Sequence, residues 1–382
     1  MEDKEELNIL IFSWRGPGHP NAGGAEVSTH EHAKSWVRAG YNVTLFTSYY
    51  HRAKREEEID GVTIIREGNQ ILGVQWKAFW WYLLGDHSRF DLVIDQFHGV
   101  PFFTPLFVKT KKLAFIHEVA KEVWSLNSWS WPFNLVPKVL GAIFEPLIFK
   151  LFYINIPFMT VSNSTKNDLI SLGIPKENII IIHNGINISV TKQDLPKEKK
   201  NTLIFLGALT KDKGIETALK VFSILNQIHE FQFWVVGKAD PDYLNILKKQ
   251  SQRLGIYTKV KFWGFIPEEK KVELLQRAHI LINPSIREGW GLTVIEGARL
   301  GTPTAAYDVP GLRDSIKHLK TGVLEVSRDP GQLAFQISAL LNDQRRYTQI
   351  CQAAKIWSKN FSWKKSTEES LRLINKILKE NS

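Results

Sequence analysis

Short apolar runs alternate with amphipathic stretches along the first half of the chain. These runs are continuous and rich in Ile, Leu, Val and Phe, which is typical of strands buried on both faces of a parallel sheet. They are Leu7–Ser13, Tyr41–Thr47, Val62–Arg66, Leu92–Asp95, Leu113–His117, Phe158–Ser162 and Asn178–His183. Glu26–Ala39 has helical spacing and ends at Gly40, a residue that suits the position after a helix.

The same pattern restarts in the second half. Leu203–Gly207 is a new apolar run and precedes the helical stretch Ile215–Glu230. The series continues with Phe231–Val236, Val260–Trp263, Ile280–Asn283 and Pro303–Tyr307. Strands that alternate with helices predict parallel sheets covered on both faces, so the fold class is α/β with two sheets in series.

The domain boundaries follow from this restart. Residues 189–201 are polar and charged and contain a proline, which favours a linker. At roughly 150 residues per domain, the length suits about two domains. We expect an N-terminal domain over 1–185, a linker over 186–201, a C-terminal domain over 202–365 and a C-terminal helix over 366–382.

Charge and cysteine content narrow the class of protein. The net charge is +10, of which residues 1–190 contribute −1 and residues 191–382 contribute +11. A basic chain favours a phosphorylated ligand or an anionic membrane, while the lack of a binding motif argues against nucleic acid. The single cysteine excludes a disulfide scaffold and cysteine-based metal sites, and it favours a cytoplasmic location. The acidic N-terminus does not have the pattern of a signal peptide.

A glycine-rich loop follows the first predicted strand. It runs from Gly16 to Glu26, contains Gly23-Gly24 and leads into the first helix, where backbone amides favour an anion or a sugar. It does not match the dinucleotide pattern G-x-G-x-x-G. A flexible surface loop is the alternative.

Two carboxylates flank a second glycine turn. Glu288 and Glu296 lie on either side of Gly289-Trp290-Gly291-Leu292, after the strand Ile280–Asn283. Eight helical residues span about 12 Å, so the two carboxylates could hold different parts of one long polar ligand. Free amides between them would suit a phosphate. A solvated acid followed by an acid in a first helical turn explains the spacing equally well.

The sequence predicts no metal or cofactor. Asp240-Pro241-Asp242 has the form D-x-D, but its place after a strand indicates a turn and a helix N-cap. Elsewhere, His, Asp and Glu do not have the spacing of metal ligands.

A longer pattern carries a family resemblance. Residues 285–303 read S-x-x-E-G-x-G-L-x-x-x-E-G-x-x-x-G-x-P, which resembles the E-x7-E signature of retaining GT-B glycosyltransferases, glycosyltransferase family 4. Other elements agree in order and spacing: Gly23-Gly24, Val161-Ser162-x-Ser164-Thr165, His183-Asn184-Gly185, Gly207…Lys213-Gly214 and Pro310-Gly311. The resemblance implies two Rossmann-like domains that face a cleft, with a C-terminal helix that crosses back to the N-terminal domain.

The resemblance also implies roles for individual residues. Catalytic positions correspond to His117, near the donor sugar, to Glu288, on the sugar hydroxyls, and to Lys213, on the diphosphate. Glu296 would bind the ribose. The remaining donor-binding positions are Gly23, Gly24, Lys211, Gly289, Trp290, Gly291, Leu292, Phe265 and Ile266, the last two near the base.

Two positions depart from the family pattern. Ala208 stands where the family usually has a second diphosphate cation, an arginine, and Lys211 is a candidate replacement. A lysine supplies a point charge without the paired geometry of a guanidinium. Glu118 follows His117 where the family often has aspartate.

An aromatic and basic region extends from Trp76 to Val161. It holds six of the 13 tryptophans, and residues 101–166 carry seven lysines against three glutamates. Such a composition suits the headgroup layer of an anionic bilayer. Charges and prolines in residues 139–161 argue against a membrane span. A buried aromatic cluster with solvated lysines is the alternative.

The sequence and the resemblance together predict a glycosyltransferase that moves a hexose-type sugar from a nucleotide-diphosphate donor, with retention. The expected acceptor is a glycolipid, lipid-linked or saccharide molecule, and the expected location is cytoplasmic, peripheral on the inner face of the cell membrane. Two alternatives stay open: a nucleotide-sugar epimerase of similar fold, and a non-catalytic protein that binds a nucleotide sugar or a membrane.

Overall fold

The structure is a computed structural model that describes residues 7–121, 124, 135–188 and 195–379. The chain divides into two compact units. Unit 1 comprises Met1–Gly185 and Trp363–Ser382, and unit 2 comprises Ile186–Ser362. Residues 189–194 of the predicted linker lie outside the described residues.

Unit 1 is built on a sheet of eight strands in its described part. The strands are β1 (Asn8–Ser13), β2 (Asn42–Thr47), β3 (Glu56–Ile59), β4 (Val62–Arg66), β5 (Leu92–Phe97), β6 (Lys111–Ile116), β7 (Phe158–Thr160) and β8 (Ile179–Ile181). The helices include α1 (Gly24–Arg38), α2 (Gly73–Leu84), α3 (Leu135–Ile148) and α4 (Asn163–Ser171). A π-helical turn, Phe149–Tyr153, continues α3. The spatial order is β3-β4-β2-β1-β5-β6-β7-β8, and only the β3–β4 pair of these strands is antiparallel.

Unit 2 repeats this architecture, with six parallel strands among its described residues. They are β9 (Asn201–Leu206), β10 (Phe231–Val236), β11 (Val260–Gly264), β12 (Ile280–Asn283), β13 (Thr304–Tyr307) and β14 (Gly322–Glu325). The helices are α5 (Ile215–Ile228), α6 (Pro241–Arg253), α7 (Glu268–Arg277), α8 (Leu292–Arg299), α9 (Leu312–Ser315), α10 (Pro330–Asn342) and α11 (Gln344–Ser358). The core lies between this sheet and the helices on its faces, with rings such as Phe222 and Phe233 in contact at 5.2 Å.

The strand order locates the point in each sheet where a ligand can bind. Unit 2 has the order β11-β10-β9-β12-β13-β14, so the chain reverses direction across the sheet between β9 and β12. In unit 1 the corresponding reversal lies between β1 and β5. Doubly wound sheets bind ligands outside the carboxyl ends of the strands that flank this reversal. The predicted α/β fold with two parallel sheets is therefore confirmed, and it places two candidate sites.

The C-terminal helix belongs to unit 1, as predicted. It is α12 (Trp363–Lys379), which begins earlier than the predicted residue 366. The Ser370 hydroxyl accepts a hydrogen bond from Trp36 Nε1 at 3.1 Å and lies 2.9 Å from His32 Nδ1, and both of those residues are on α1. Lys111 Nζ donates to the Leu378 carbonyl at 2.8 Å. These contacts pair α12 with α1 and with the start of β6.

The buried His32 makes a testable contribution to pH dependence. Burial lowers the pKa of His32 from 6.5 to about 3, so the folded protein keeps this ring neutral while the unfolded chain protonates it. Stability is therefore full above pH 6.5 and falls as the pH drops toward 3, by about 1.4 kcal/mol per pH unit for one histidine. In His32→Gln, we expect the free energy of unfolding to depend less on pH, by about 1.4 kcal/mol per pH unit. Urea titrations at pH 7 and pH 5 measure this difference.

The matched control is His51→Gln, which makes the same exchange at an exposed position of unit 1. An equal pH dependence in His32→Gln and in the unaltered protein would show that the ring is charged in the folded state.

Candidate active site

Two loops of unit 2 meet at the point where its sheet reverses. One follows β9 and contains Lys213-Gly214, and the other follows β12 and contains Glu288. The Ile286 amide donates to the Asp212 carbonyl at 2.8 Å. Gly214 has φ +73°, and a Cβ there would lie 2.1 Å from the Pro284 carbonyl oxygen. Only glycine permits this approach, so the glycine brings the two loops together.

Lys213 and Glu288 form an ion pair between these loops. Lys213 Nζ lies 3.0 Å from Glu288 Oε1, and both side chains are partly exposed. The Ser285 hydroxyl lies 3.0 Å from the same Oε1 and 2.6 Å from Asn283 Oδ1. Two of the residues predicted as catalytic are therefore in contact, and the pair retains access to solvent.

Pro310-Gly311 supports Glu288 through the backbone. The Glu288 amide donates to the Pro310 carbonyl at 3.3 Å. Gly311 has φ +79°, and a Cβ there would lie 2.1 Å from the Glu288 carbonyl oxygen. This close packing gives a structural reason for the Pro-Gly pair, which positions the backbone from which the Glu288 side chain extends.

Helix α8 begins between the two carboxylates. Its N-cap is Gly291, with φ +79° and no capping side chain. The Val294 amide donates to the Gly291 carbonyl at 3.0 Å, while the amides of Leu292 and Thr293 keep their capacity to bind an anion, and the helix dipole adds a positive potential. The Trp290 ring is only 3% exposed and packs on Phe361 at 4.9 Å, so its side chain belongs to the core of unit 2. A ligand role for Trp290 is thus restricted to its backbone.

Glu296 has a partner that the sequence does not reveal. Its Oε1 lies 2.8 Å from Lys271 Nζ, which also contacts Glu268 at 2.9 Å. Burial raises the pKa of the Glu296 carboxyl, and the Lys271 ammonium opposes that rise. Lys271 lies in α7, far from the signature in sequence, so no local pattern could have identified it.

The remaining donor-binding candidates of unit 2 differ in exposure. Phe265 is 74% exposed after β11, with Lys238 Nζ 4.6 Å from its ring centroid, whereas Ile266 packs on the core. Ala208 and Lys211 are both exposed in the loop after β9. Compensation for Ala208 by Lys211 stays a prediction.

The glycine loop of unit 1 is anchored by charged residues. The Gly23 amide donates to Glu26 Oε2 at 2.6 Å, and Arg15 Nε donates to Glu26 Oε1 at 2.9 Å. Glu26 is buried, while Gly23 and Gly24 are exposed. The Arg15 guanidinium also covers the Trp14 ring at 3.9 Å. The loop therefore presents two exposed glycines from a fixed base. In the sequence, the basic Arg15 and the acidic Glu26 that flank the loop were the features that could have indicated this anchoring.

His117 lies just beyond the carboxyl end of β6. It is 8% exposed, and neither ring nitrogen has a hydrogen-bond partner among the described residues. Burial lowers its pKa from 6.5 to about 3, and His32 and His98 contribute to that shift. The neighbouring Glu118 lies 3.7 Å from His98 Nδ1. His117 is thus a neutral, buried ring whose two nitrogens have no hydrogen-bond partner within the described residues.

The D-x-D segment serves as a helix cap, as predicted. Asp240 Oδ1 accepts hydrogen bonds from the amides of Asp242 and Tyr243 at 2.9 and 3.4 Å, at the start of α6. Within the described ranges, no group of three or more His, Cys, Asp or Glu residues is arranged to hold a metal ion.

Comparison with known proteins agrees with this geometry. Residues 22–190 match the family model described as Glycosyltransferase Family 4, and residues 188–357 match the one described as Glycosyl transferases group 1. An uncharacterized glycosyltransferase of Methanocaldococcus jannaschii is 28% identical over 232 residues, which cover 56% of this chain and 58% of that protein. The matches span about half the length of the curated relatives.

Solved structures give the same fold. A sucrose-phosphate synthase from Thermosynechococcus elongatus is similar with a TM-score of 0.77 at 18% identity, covering 98% of this chain and 100% of that one. Anabaena HepE in complex with UDP-glucose has a TM-score of 0.71 at 17% identity, covering 97% and 100%. The chain therefore belongs to the GT-B glycosyltransferases of the Glycosyltransferase Family 4 type.

Proposed function

We propose that this protein transfers a hexose-type sugar from a nucleotide-diphosphate donor to a glycolipid, lipid-linked or saccharide acceptor, with retention and without a metal ion. The observation that carries the proposal is the Lys213–Glu288 ion pair at 3.0 Å, placed between the loops that follow β9 and β12. A cation, a carboxylate and the start of α8 converge where a doubly wound sheet binds its ligand.

The parts of the donor need different partners. The leaving diphosphate needs positive charge, which Lys213, the first-turn amides of α8 and the exposed Lys211 can supply. The sugar hydroxyls need acceptors, which the Glu288 carboxylate offers. The ribose hydroxyls can bind Glu296, whose carboxylate is held by Lys271 at 2.8 Å.

The proposed reaction breaks the bond between the anomeric carbon and the phosphate oxygen. The acceptor oxygen forms its bond to that carbon on the same face, and the acceptor proton passes to an oxygen of the leaving diphosphate. Glu288 is already paired with Lys213 and Ser285, which suits a carboxylate that binds hydroxyls rather than one that attacks carbon. His117, neutral and without partners in the described chain, can bind a hydroxyl of the donor sugar.

The test is acceptor-dependent release of nucleoside diphosphate. UDP-, GDP- and ADP-sugars are incubated with the protein, with and without a lipid extract or a saccharide mixture, in the presence of EDTA. UDP-sugars come first, because the structurally similar HepE was solved with UDP-glucose. Glu288→Gln is the matched control, since it keeps the shape of the side chain and removes its charge.

Each outcome supports a different function. Release that depends on an acceptor, and is absent in Glu288→Gln, supports transfer, and the anomeric proton coupling of the product then reports retention or inversion. An isomerised donor without release would support an epimerase. Binding of a nucleotide sugar without turnover, under all acceptor conditions, would support a non-catalytic protein.

A further inference from the structure

Unit 1 exposes a large apolar surface on two helices. Ten large apolar side chains between 41% and 75% exposed lie on or beside α2 and α3. They are Trp76, Trp80, Leu83, Leu84, Leu106, Val139, Ile143, Phe144, Leu147 and Leu151, and we name them the α2–α3 face. Scattered exposed apolar residues are ordinary, but a concentration of this kind marks an interaction surface.

The α2–α3 face is connected through aromatic contacts. Within α2, Trp76 and Trp80 are in contact at 5.6 Å. Phe79 of the same helix contacts Phe107 at 5.1 Å, and Phe103 contacts Phe152 of the π-helical turn at 6.0 Å. The segment 103–107, which contains the exposed Leu106, therefore contacts α2 through Phe79 and the π-helical turn through Phe152.

Helix α3 and its π-helical turn are apolar on two sides. Gly141, Phe149 and Tyr153 recur at helical spacing and are buried against unit 1. Ile143 and Leu147 recur on another side and are exposed. A helix that is apolar around its circumference requires a second apolar or interfacial partner. The described residues supply a partner for one side only.

The buried side of α3 is fixed by a carboxylate. Glu145 is buried and accepts hydrogen bonds from the amides of Ala120 and Lys121, at 2.9 and 3.1 Å, and from Trp124 Nε1 at 3.2 Å. A Cβ on Gly141 would lie 2.4 Å from Trp124 Cγ, so the helix and this ring are closely packed. The orientation of α3 is thus set by unit 1, and its exposed side is held outward.

The α2–α3 face carries basic side chains. Lys77 is exposed on α2, with its Nζ 3.9 Å from Glu67 Oε2, and Lys150 is exposed beside Leu151. Residues 73–84 contain no acidic residue, and the only one in residues 135–153 is the buried Glu145. Tryptophan and lysine side by side are typical of the headgroup layer of a membrane, where anionic lipids attract the lysines.

We propose that the α2–α3 face docks on the surface of an anionic lipid bilayer, with α2 and α3 lying in the headgroup layer. In the described part of the chain, no helix combines the length and the apolar character that crossing a bilayer requires. The proposal goes beyond the transfer reaction, and its test uses no nucleotide sugar, so that either can fail without the other.

The test is co-sedimentation with vesicles of phosphatidylcholine alone and of phosphatidylcholine with phosphatidylglycerol. The unaltered protein should bind the anionic vesicles more tightly than the neutral ones. The double variant Ile143→Ser/Leu147→Ser should bind about ten- to a hundredfold more weakly, because two apolar side chains no longer enter the bilayer. The matched control is Phe335→Ser/Ile356→Ser in unit 2, whose side chains are 68% and 66% exposed, and it should bind like the unaltered protein.

Charge is tested by Lys77→Gln/Lys150→Gln. Each lysine should contribute about fivefold to binding of anionic vesicles at low salt and little to binding of neutral ones. Circular dichroism verifies that the variants are folded. The proposal is overturned if the unaltered protein binds neither vesicle, if Ile143→Ser/Leu147→Ser binds as well as the control, or if anionic lipid makes no difference. Dimerisation that Ile143→Ser/Leu147→Ser abolishes, without vesicle binding, would assign the face to a second copy of the chain instead.

Discussion

Lys213→Ala should lower kcat for sugar transfer by about 10²–10³-fold, the usual effect of removing one group that stabilises charge developing in the transition state. In the structure Lys213 Nζ lies 3.0 Å from Glu288, at the point where the sheet of unit 2 reverses. In the proposed site, removal of the ammonium takes positive charge away from the leaving diphosphate and leaves Glu288 without this ionic partner. Steady-state kinetics with the donor identified by the release assay measures the effect.

Two further variants make this prediction specific. Lys220→Ala removes an exposed lysine from α5 of the same unit and should leave kcat unchanged. Lys213→Arg keeps the charge on a bulkier group and should retain more activity than Lys213→Ala. Equal rates for Lys213→Ala and Lys220→Ala would remove Lys213 from the donor site.

His117→Ala should also reduce transfer by about 10²-fold or more, as expected for loss of a hydrogen bond in a water-excluded site. The ring is buried after β6 with both nitrogens lacking partners in the described chain, which supports the proposed hydrogen bond to a donor hydroxyl. Burial lowers the pKa of His117 to about 3, which keeps the ring neutral at every pH used for assay. The kcat profile between pH 5 and pH 8 should therefore contain no inflection from His117.

His51→Ala, at an exposed position of unit 1, is the matched control and should not change kcat. A pH profile with an inflection near 6.5 that disappears in His117→Ala would mean that the ring titrates and acts as an acid or a base. Full activity in His117→Ala would exclude any contact with substrate.

Most of the parallel strands were predictable because they read as continuous apolar runs. Strand β14 (Gly322–Glu325) was not predicted, although it is parallel and buried. Strand β3 was not, since Glu56–Ile59 is mostly charged and pairs antiparallel at the edge of the sheet, where polar side chains face solvent. Helix α2 was missed as a helix for the opposite reason. Its side chains are apolar on nearly all sides, so the sequence does not show the alternation of apolar and polar positions that identifies a helix with one buried face.

The candidate site was predictable where it depends on local chain geometry. Glycines with positive φ, such as Gly214 and Gly311, mark the loops that place Lys213 and Glu288 side by side. Partners brought from distant elements were not predictable. Lys271 reaches Glu296 from another helix, and nothing in the sequence around either residue indicates that pairing.

The aromatic region shows a similar limit. Its tryptophans occupy two environments: Trp81 packs against Phe46 at 5.1 Å, whereas Trp76 and Trp80 are exposed. Trp129 and Trp131 lie outside the described residues. On a helix that is apolar on nearly all sides, composition alone cannot distinguish an aromatic ring packed in the core from one exposed to solvent.

The proposed reaction requires that the loops after β9 and β12 of unit 2 bind the diphosphate of a nucleotide sugar. Isothermal titration calorimetry with UDP, GDP and ADP in the presence of EDTA measures this binding. At least one of the three should bind, and Lys213→Ala should weaken that binding by about ten- to a hundredfold, the value of a charge-assisted hydrogen bond. Absence of binding for all three, or equal affinity in Lys213→Ala, would contradict this proposal.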